Sequence, residues 1–457
     1  MGLSWKERVF MTLLGAATAS GLTVLVLILV EATYVLLPAH IKFGIVFDAG
    51  SSHTSLFVYQ WPANKEKDTG VVSQALACQI EGPGISSYAS DPALAGESLR
   101  GCLEEALALI PKTQHQETPT FLGATAGMRL LRQKNSSQAR DILAAVSQVL
   151  SEFPVDFWGA RILDGQDEGA FAWITINYVL GMLIKYSFGE WILPEEGTQV
   201  GALDLGGAST QISFVPRGPI LDQSTQATFL LYGANYRIYT HSHLCFGRDQ
   251  MLSRLLARLA QVSQAALVRH PCYHSGYRVT QSLAPLYESP CVHFTAPMNF
   301  TQSLVVEGTG NPGACVAAIR GLFNFSSCKG REDCAFNGVY QPPVHGQFYV
   351  EANYPGQERW LPNYCASGLY ILTLLLEGYG FSEDTWPGVQ FQKQAGGMDI
   401  GWTLGYMLNL TGMIPAEAPT EGRAQSYSTW MAGVVFVVLT LVTILGAAAV
   451  QLFWPQD

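Results

Sequence analysis

The sequence predicts an α/β protein of two similar lobes set between two membrane-spanning helices. Three observations carry this. Strand-like and helix-like patterns alternate through the central region, one distinctive hairpin occurs twice, and a charge-free apolar run stands near each end. A chain of 457 residues has room for two or three ordinary domains, or for one two-lobed body with a large core.

Taken in order, the first element is the run Val9–Val30, which contains no charged residue; its counterpart is Ala424–Gln456. Each is long enough to cross the ~30 Å hydrocarbon core as a helix. Lys6 and Arg8 precede the first run and Glu31 follows it, which places the N-terminus in the cytoplasm. A second crossing at 428–453 returns the tail 454–457 to the same side and leaves about 38–423 outside the cell or in a lumen. The expected plan is a cytoplasmic tail 1–8, a span 9–30, lobe I over 38–160 plus about 396–423, and lobe II over 161–395. A cleaved signal peptide is the competing reading of the first run, but its apolar core is normally shorter and ends at a small-residue cleavage site. Gly15, Ala16 and Ala17 allow close helix approach, so self-association through the membrane helices is an expectation.

Between the runs, Gly44–Phe47 and Thr54–Tyr59 read as a hairpin. "DPALAGESLRGCLEEALALI" reads as a helix with Asp91 as N-cap and Pro92 at its first position. "TFLGATAG" reads as a strand ending in small residues, and "SSQARDILAAVSQVLSEF" as an amphipathic helix. After Gly159 the pattern restarts with a strand, an acidic turn, a helix through Trp173 and the second hairpin. Helices at about 249–263 and 366–379 follow.

Charge excludes one class of partner. The tails and Glu31 sum to −1, so the central region holds −9 of the net −10, and such a surface repels nucleic acid. All nine cysteines lie in that region and none is spaced as CxxC, so disulfides of an exterior domain are the natural reading. Nine is odd, leaving at least one thiol without an intramolecular partner. Sequons at Asn135, Asn299 and Asn324 agree with secretion, and Asn409 is a fourth inside a motif discussed below.

The chemistry lies in the repeated hairpin, "IVFDAGSSHTSLFVY" and "GALDLGGASTQISFV". Setting Asp48 against Asp204 matches Gly50 with Gly206 and Thr54 with Thr210, and puts Ser51 and Ser52 on Gly207 and Ala208. Small residues at a bend let a phosphate reach successive backbone N–H groups. A carboxylate beside that bend would repel phosphate unless a hydrated Mg²⁺ or Ca²⁺ lay between. Two such bends would grip a polyphosphate from both ends, with Asp48 and Asp204 sharing one ion through water. Three further stretches belong with them. "GATAGMRLL" brings Thr125 with Arg129 nearby. "DGQDEGAFAW" offers Asp164, Asp167 or Glu168 as a general base toward water, and spacing does not choose among them. "GGMDIGWTLGYMLNL" unaided reads as a helix packed through small residues.

In order, these five stretches resemble the five apyrase-conserved regions of the ectonucleoside triphosphate diphosphohydrolase family, and the terminal spans and cysteines match its cell-surface branch. The resemblance implies two RNase H-like lobes of the actin, Hsp70 and hexokinase superfamily. It implies stepwise hydrolysis of extracellular ATP, ADP, UTP and UDP to monophosphates at the plasma membrane, dependent on Ca²⁺ or Mg²⁺. By the same resemblance Glu168 is the catalytic base, and Ser209 and Gln211 help place the water. Ser51, Ser52, His53 and Thr125 contact phosphates with Gly206, Gly207 and Ala208. Asp48 and Asp204 hold the hydrated metal with Trp402 near, and Trp360 walls the base. It also implies the pairs Cys78–Cys102, Cys245–Cys291, Cys272–Cys315 and Cys328–Cys334, leaving Cys365 alone.

One departure stands out. In the family "NGVYQPPVHGQFY" leads into an aromatic-rich segment of a few dozen residues before the counterpart of "EANYPGQERWLPNYC". Here Tyr349 passes directly to Val350 and Glu351. The missing piece carries the tenth exterior cysteine and one wall of the base pocket. Besides the hydrolase, the sequence therefore leaves a catalytically impaired shortened form, a non-catalytic nucleotide-binding surface protein, and a phosphate-transferring kinase or chaperone of the same fold. The acidic turn at 164–168 and the exterior placement disfavour the last.

Overall fold

In a computed structural model of the chain, each signature hairpin lies at the centre of its own sheet, and the two sheets share one topology. The structure describes residues 4–29, 33–36, 40–65, 71–183, 185–187, 190–192, 197–263, 267–293, 303–351, 358–414, 417, 421–424 and 427–454. The first sheet holds β1 (Ile41–Ala49), β2 (Thr54–Pro62), β3 (Ser73–Ile80), β4 (Pro119–Ala124) and β5 (Asp156–Ile162), ordered β3-β2-β1-β4-β5. The second holds β6 (Gly201–Leu205), β7 (Ser209–Phe214), β8 (Gln226–Leu231), β9 (Ala234–Leu244), β10 (Phe348–Glu351) and β11 (Val389–Gln392), ordered β8-β9-β7-β6-β10-β11.

Apart from the extra edge strand β8, one pattern serves both. The hairpin is antiparallel, its second strand takes one more antiparallel neighbour, and its first strand takes a parallel neighbour that pairs parallel with the next. The match of Asp48 with Asp204 survives pair by pair. Asp48 faces Ser55 as Asp204 faces Gln211, and Ala49 faces Thr54 as Leu205 faces Thr210.

Strand parity then aims the aspartates. Ile45, Phe47 and Ala49 belong to the core beneath the helices of the first sheet, whereas Val46 belongs to a different core, shared with the helix Trp402–Met413. Side chains alternate along a strand, so Asp48 takes the face of Val46. In the second sheet Leu203 enters that lobe's own core and Ala202 enters the shared one, so Asp204 takes the face of Ala202. Both carboxylates point into the same middle layer. That layer also receives Phe171, Trp173 and Ile176 from the helix Gly165–Val179. The glycine-rich motif at 396–410 forms the helix Trp402–Met413, and Gly405 lies so close to the Phe171 backbone that no Cβ would fit.

One expected helix is two. Pro92–Glu97 and Arg100–Leu109 are separate, with Ser98 Oγ donating to the Ala95 carbonyl at the break (2.8 Å), and the Asp91 side chain makes no cap bond. A serine near a helix end satisfies a backbone carbonyl that the next turn would otherwise need.

The chain divides into two units, Ile41–Ala416 and a second formed by Met1–His40 with Glu417–Asp457. In the second, the helices Trp5–Leu29 and Tyr427–Phe453 are each long and apolar enough to cross a membrane. They pack on each other: Ser20 Oγ donates to the Phe436 carbonyl (2.7 Å) and Thr440 Oγ1 donates to Ser20 Oγ (2.8 Å). Ala17 is buried, while Gly15 and Ala16 remain exposed on the same helix. Thr33–Leu36 pairs antiparallel with Glu421–Ala424.

Candidate active site

The two bends following β1 and β6 meet across one cleft. A Cβ built on Gly207 would lie 2.7 Å from Ser51 Oγ, so glycine is what lets the bends approach. The second bend is fixed from behind, where the carbonyls of Gly206, Gly207 and Ala208 accept from the backbone N–H groups of Arg248, Asp249 and Cys245 (2.9, 2.8 and 2.9 Å). Asp48, Ser51, Ser52, His53, Thr125, Glu168, Asp204, Gly206, Gly207, Ala208, Ser209 and Trp402 all line this cleft. Gln211 stands behind it, buried, with its Nε2 donating to Ser209 Oγ (3.1 Å). Trp360 is on the turn Glu358–Asn363, but its side chain lies outside the described residues, as does the sequon Asn299. Asn135 and Asn324 are exposed and Asn409 is half-buried on its helix.

Among the three acids of the turn, position distinguishes one. Asp164 and Asp167 are exposed, whereas Glu168 is 6% exposed and reaches the cleft from the first turn of the helix Gly165–Val179. Its Oε2 lies 2.8 Å from Arg129 Nη1, a charge contact that no aligned hydrogen bond accompanies. Arg129 comes from the helix Ala126–Lys134 and also donates to Ser209 Oγ (2.9 Å) and the Leu163 carbonyl (3.0 Å). It therefore ties the hairpin serine and the acidic turn to the helix that starts at Thr125. Sequence reading noted Arg129 only as a neighbour, although its place one turn after Thr125 was a usable signal.

Two groups were missed altogether. Arg248 and Glu351 line the same cleft, and Glu351 sits beside Asp204 in the register of β10 against β6. Four carboxylates thus share a small volume, and Asp48, Asp204 and Glu351 are raised there. Burial, then the charge of Glu168, pushes Asp48 up to about 8. Burial, then Glu351 and Glu168, pushes Asp204 well above the usual carboxylate range. Burial, then Glu168 and Asp399, pushes Glu351 up to about 7. His53 is shifted the other way, down, by burial and then by Lys393 and Arg248.

A divalent cation suits this arrangement. Asp48 Oδ1 is enclosed without a hydrogen-bond partner, and positive charge would relieve the crowding of carboxylates. Among the described residues no three acidic, histidine or cysteine side chains converge tightly enough to hold an ion directly, so its seat would be completed by water.

Four disulfides, Cys78–Cys102, Cys245–Cys291, Cys272–Cys315 and Cys328–Cys334, brace the unit Ile41–Ala416, and Cys365 is an exposed free thiol.

The model of the GDA1/CD39 (nucleoside phosphatase) family matches residues 34–355 and 348–423. The chain belongs to this family of hydrolases. It is 76% identical to ectonucleoside triphosphate diphosphohydrolase 8 of Rattus norvegicus and 69% identical to that of Homo sapiens, with all of each chain covered in both comparisons. The crystal structure of nucleoside triphosphate hydrolases from Neospora caninum is similar in fold, with a TM-score of 0.54, 15% identity, and 81% of this chain and 93% of that one covered. The two-lobed α/β fold expected from the sequence is therefore shared with that structure. The family match is in two pieces that meet at 348–355, and the Rattus norvegicus alignment spans 494 positions against 457 residues, leaving at least 37 without a counterpart here. The expected missing segment at Tyr349 is thus real, and it falls within β10.

Proposed function

We propose that the chain cleaves the terminal phosphoanhydride of extracellular nucleoside tri- and diphosphates by in-line attack of water, releasing inorganic phosphate and finally the monophosphate. The observation that carries this reading is the position of Glu168: a buried carboxylate, held by Arg129 through Oε2, lining the cleft where both phosphate bends converge. Glu168 takes the proton from the attacking water, and Ser209, steadied by Gln211 and Arg129, orients that water. The backbone N–H groups at Gly206, Gly207 and Ala208, with Ser51, Ser52, His53 and Thr125, hold the phosphates in line. A divalent cation, Ca²⁺ or Mg²⁺, held through water by Asp48 and Asp204 near Trp402, would supply charge neutralisation of the phosphate oxygens. No side chain needs to act as nucleophile. Lobe I over 38–160 plus about 396–423, lobe II over 161–395 and an exterior placement between cytoplasmic ends complete the reading.

The test is phosphate release from ATP and ADP added to intact cells bearing the chain, with and without a chelator. Release that stops with chelator and returns with Ca²⁺ or Mg²⁺ supports the reading, and release indifferent to chelator sinks it.

A second reading is favoured by the break in the family match at 348–355 and the unpaired Cys365: a shortened form that seats nucleotide but turns it over slowly. Retained binding of metal–nucleotide with no phosphate release by the chain as it stands would select it.

A further inference from the structure

The two sheets share one strand order around the hairpin, so each position beside an aspartate has a counterpart. In the first sheet Asp48 of β1 stands level with Gly123 of β4, and the Trp402 ring fills the space that a side chain on Gly123 would occupy. In the second sheet Asp204 of β6 stands level with Glu351 of β10. One lobe sets a glycine under an aromatic ring against its aspartate; the other sets a second carboxylate. Neighbouring strands are ~4.8 Å apart and level residues share a face, so Glu351 points with Asp204 into the cleft. Phe348 and Val350 are buried in the core on the opposite face, which leaves Glu351 no alternative side.

Its carboxylate also lies by the first turn of the helix Trp402–Met413, where a Cβ on Gly401 would be 3.6 Å from Glu351 Oε1. Asp48 Oδ1 is enclosed in the same cleft with no hydrogen-bond partner, while Glu168 Oε2 is met by Arg129 Nη1 at 2.8 Å. Glu351 therefore adds a carboxylate beside an aspartate that has one oxygen unmet. Glu351 lies in the stretch 348–355 where the two pieces of the family match overlap, so its place on β10 level with Asp204 follows from the join that the missing segment leaves.

We propose that Glu351 is a further acidic group of the cation seat, particular to this shortened chain, which makes the protein hold a divalent cation before any nucleotide arrives. The inference rests on Asp48 and Asp204 holding that cation. A third carboxylate near a doubly charged ion adds attraction that does not depend on phosphate oxygens, and the same charge repels a nucleotide that arrives without metal.

The experiment is Mn²⁺ titration of the purified full chain without nucleotide, read by electron paramagnetic resonance. One ion should bind the wild type, Glu351→Gln should weaken it about tenfold or more, and Glu351→Asp should recover most of the loss. Heating without metal supplies a second measurement: Glu351→Gln should unfold at a higher temperature than wild type because it removes a repelling charge, and Mn²⁺ should raise its midpoint less. If Glu351→Gln binds Mn²⁺ as wild type does while Asp48→Asn and Asp204→Asn do not, the proposal is overturned and the cation reading stands. If no form binds Mn²⁺ alone, the proposal is likewise overturned, and Mn²⁺ binding in the presence of ADP then decides the cation reading separately.

Discussion

Arg129 Nη1 lies 2.8 Å from Glu168 Oε2, and both side chains are 8% exposed. The pair joins the helix Ala126–Lys134 to the helix Gly165–Val179 at the wall of the cleft, and the same guanidinium donates to Ser209. A buried charge pair contributes little net stability, but removing one partner strands the other.

Arg129→Ala should therefore cost about 3–5 kcal/mol in denaturant unfolding, because Glu168 is left as an unpaired buried charge. Arg129→Lys keeps the charge but loses the fork that reaches Ser209 and Leu163, so it should retain most of the stability and lose turnover. Equal stability of wild type and Arg129→Ala would show that the pair is not held in solution.

On the proposed mechanism Glu168→Gln preserves shape and removes the base. Phosphate release should fall ~10²–10⁴-fold, the usual contribution of general-base catalysis. Binding of a non-hydrolysable metal–nucleotide should stay within a few-fold. Loss of binding in step with release would make Glu168 a seat for the ligand rather than a base.

Much of this was legible beforehand, for identifiable reasons. The match of Asp48 with Asp204 was readable because a hairpin fixes register locally, so linear spacing converts directly into facing pairs. Glu168 could not be chosen over Asp164 and Asp167 from spacing, because only tertiary packing decides which part of a helix start is buried. Glu351 carried no local signal at all. Its role depends on the parallel pairing of β10 with β6, a contact between residues about 150 apart in sequence that no motif records. The split of the helix after Asp91 was missed because a cap residue and a periodic face do not reveal a backbone break within the run.

His270 offers a test of stability away from the cleft. It is 1% exposed, stacks on Tyr273 at 3.9 Å between centroids, and its Nδ1 accepts from the Cys272 N–H (3.3 Å). Burial pushes its pKa down from 6.5 to about 4. A histidine with a depressed folded value lends stability that is complete above its unfolded value and is lost as pH falls through the folded one. Unfolding free energy should thus drop as pH goes from about 6.5 to 4, by up to ~3 kcal/mol from this group. In His270→Phe the slope over that window should be visibly flatter. Parallel pH profiles for the two proteins would refute the assignment.

Cys365 should react with a maleimide under native conditions, at one equivalent per chain, while the eight disulfide-bonded cysteines stay protected. It opens on an apolar groove that includes Leu369, Leu372, Trp386 and Phe391, so on a non-reducing gel the unlabelled chain should also show a dimer that Cys365→Ser abolishes. A chain that takes up no label and runs wholly as monomer would contradict both statements.

The groove and the thiol lie on the stretch following β10, where the family match breaks. Returning the missing segment of the Rattus norvegicus relative between Tyr349 and Val350 should cover apolar surface and, if it brings the partner cysteine that the family resemblance implies, close a fifth disulfide. Loss of a disulfide from an extracellular domain typically costs ~2–5 kcal/mol, a large share of a ~5–15 kcal/mol margin. The restored chain should therefore reach the cell surface in greater amount, lose maleimide reactivity at Cys365, and release phosphate faster per molecule. Surface biotinylation and phosphate release, measured side by side on both chains, decide the matter: equal yield and equal turnover would mean that the shortened lobe is already complete.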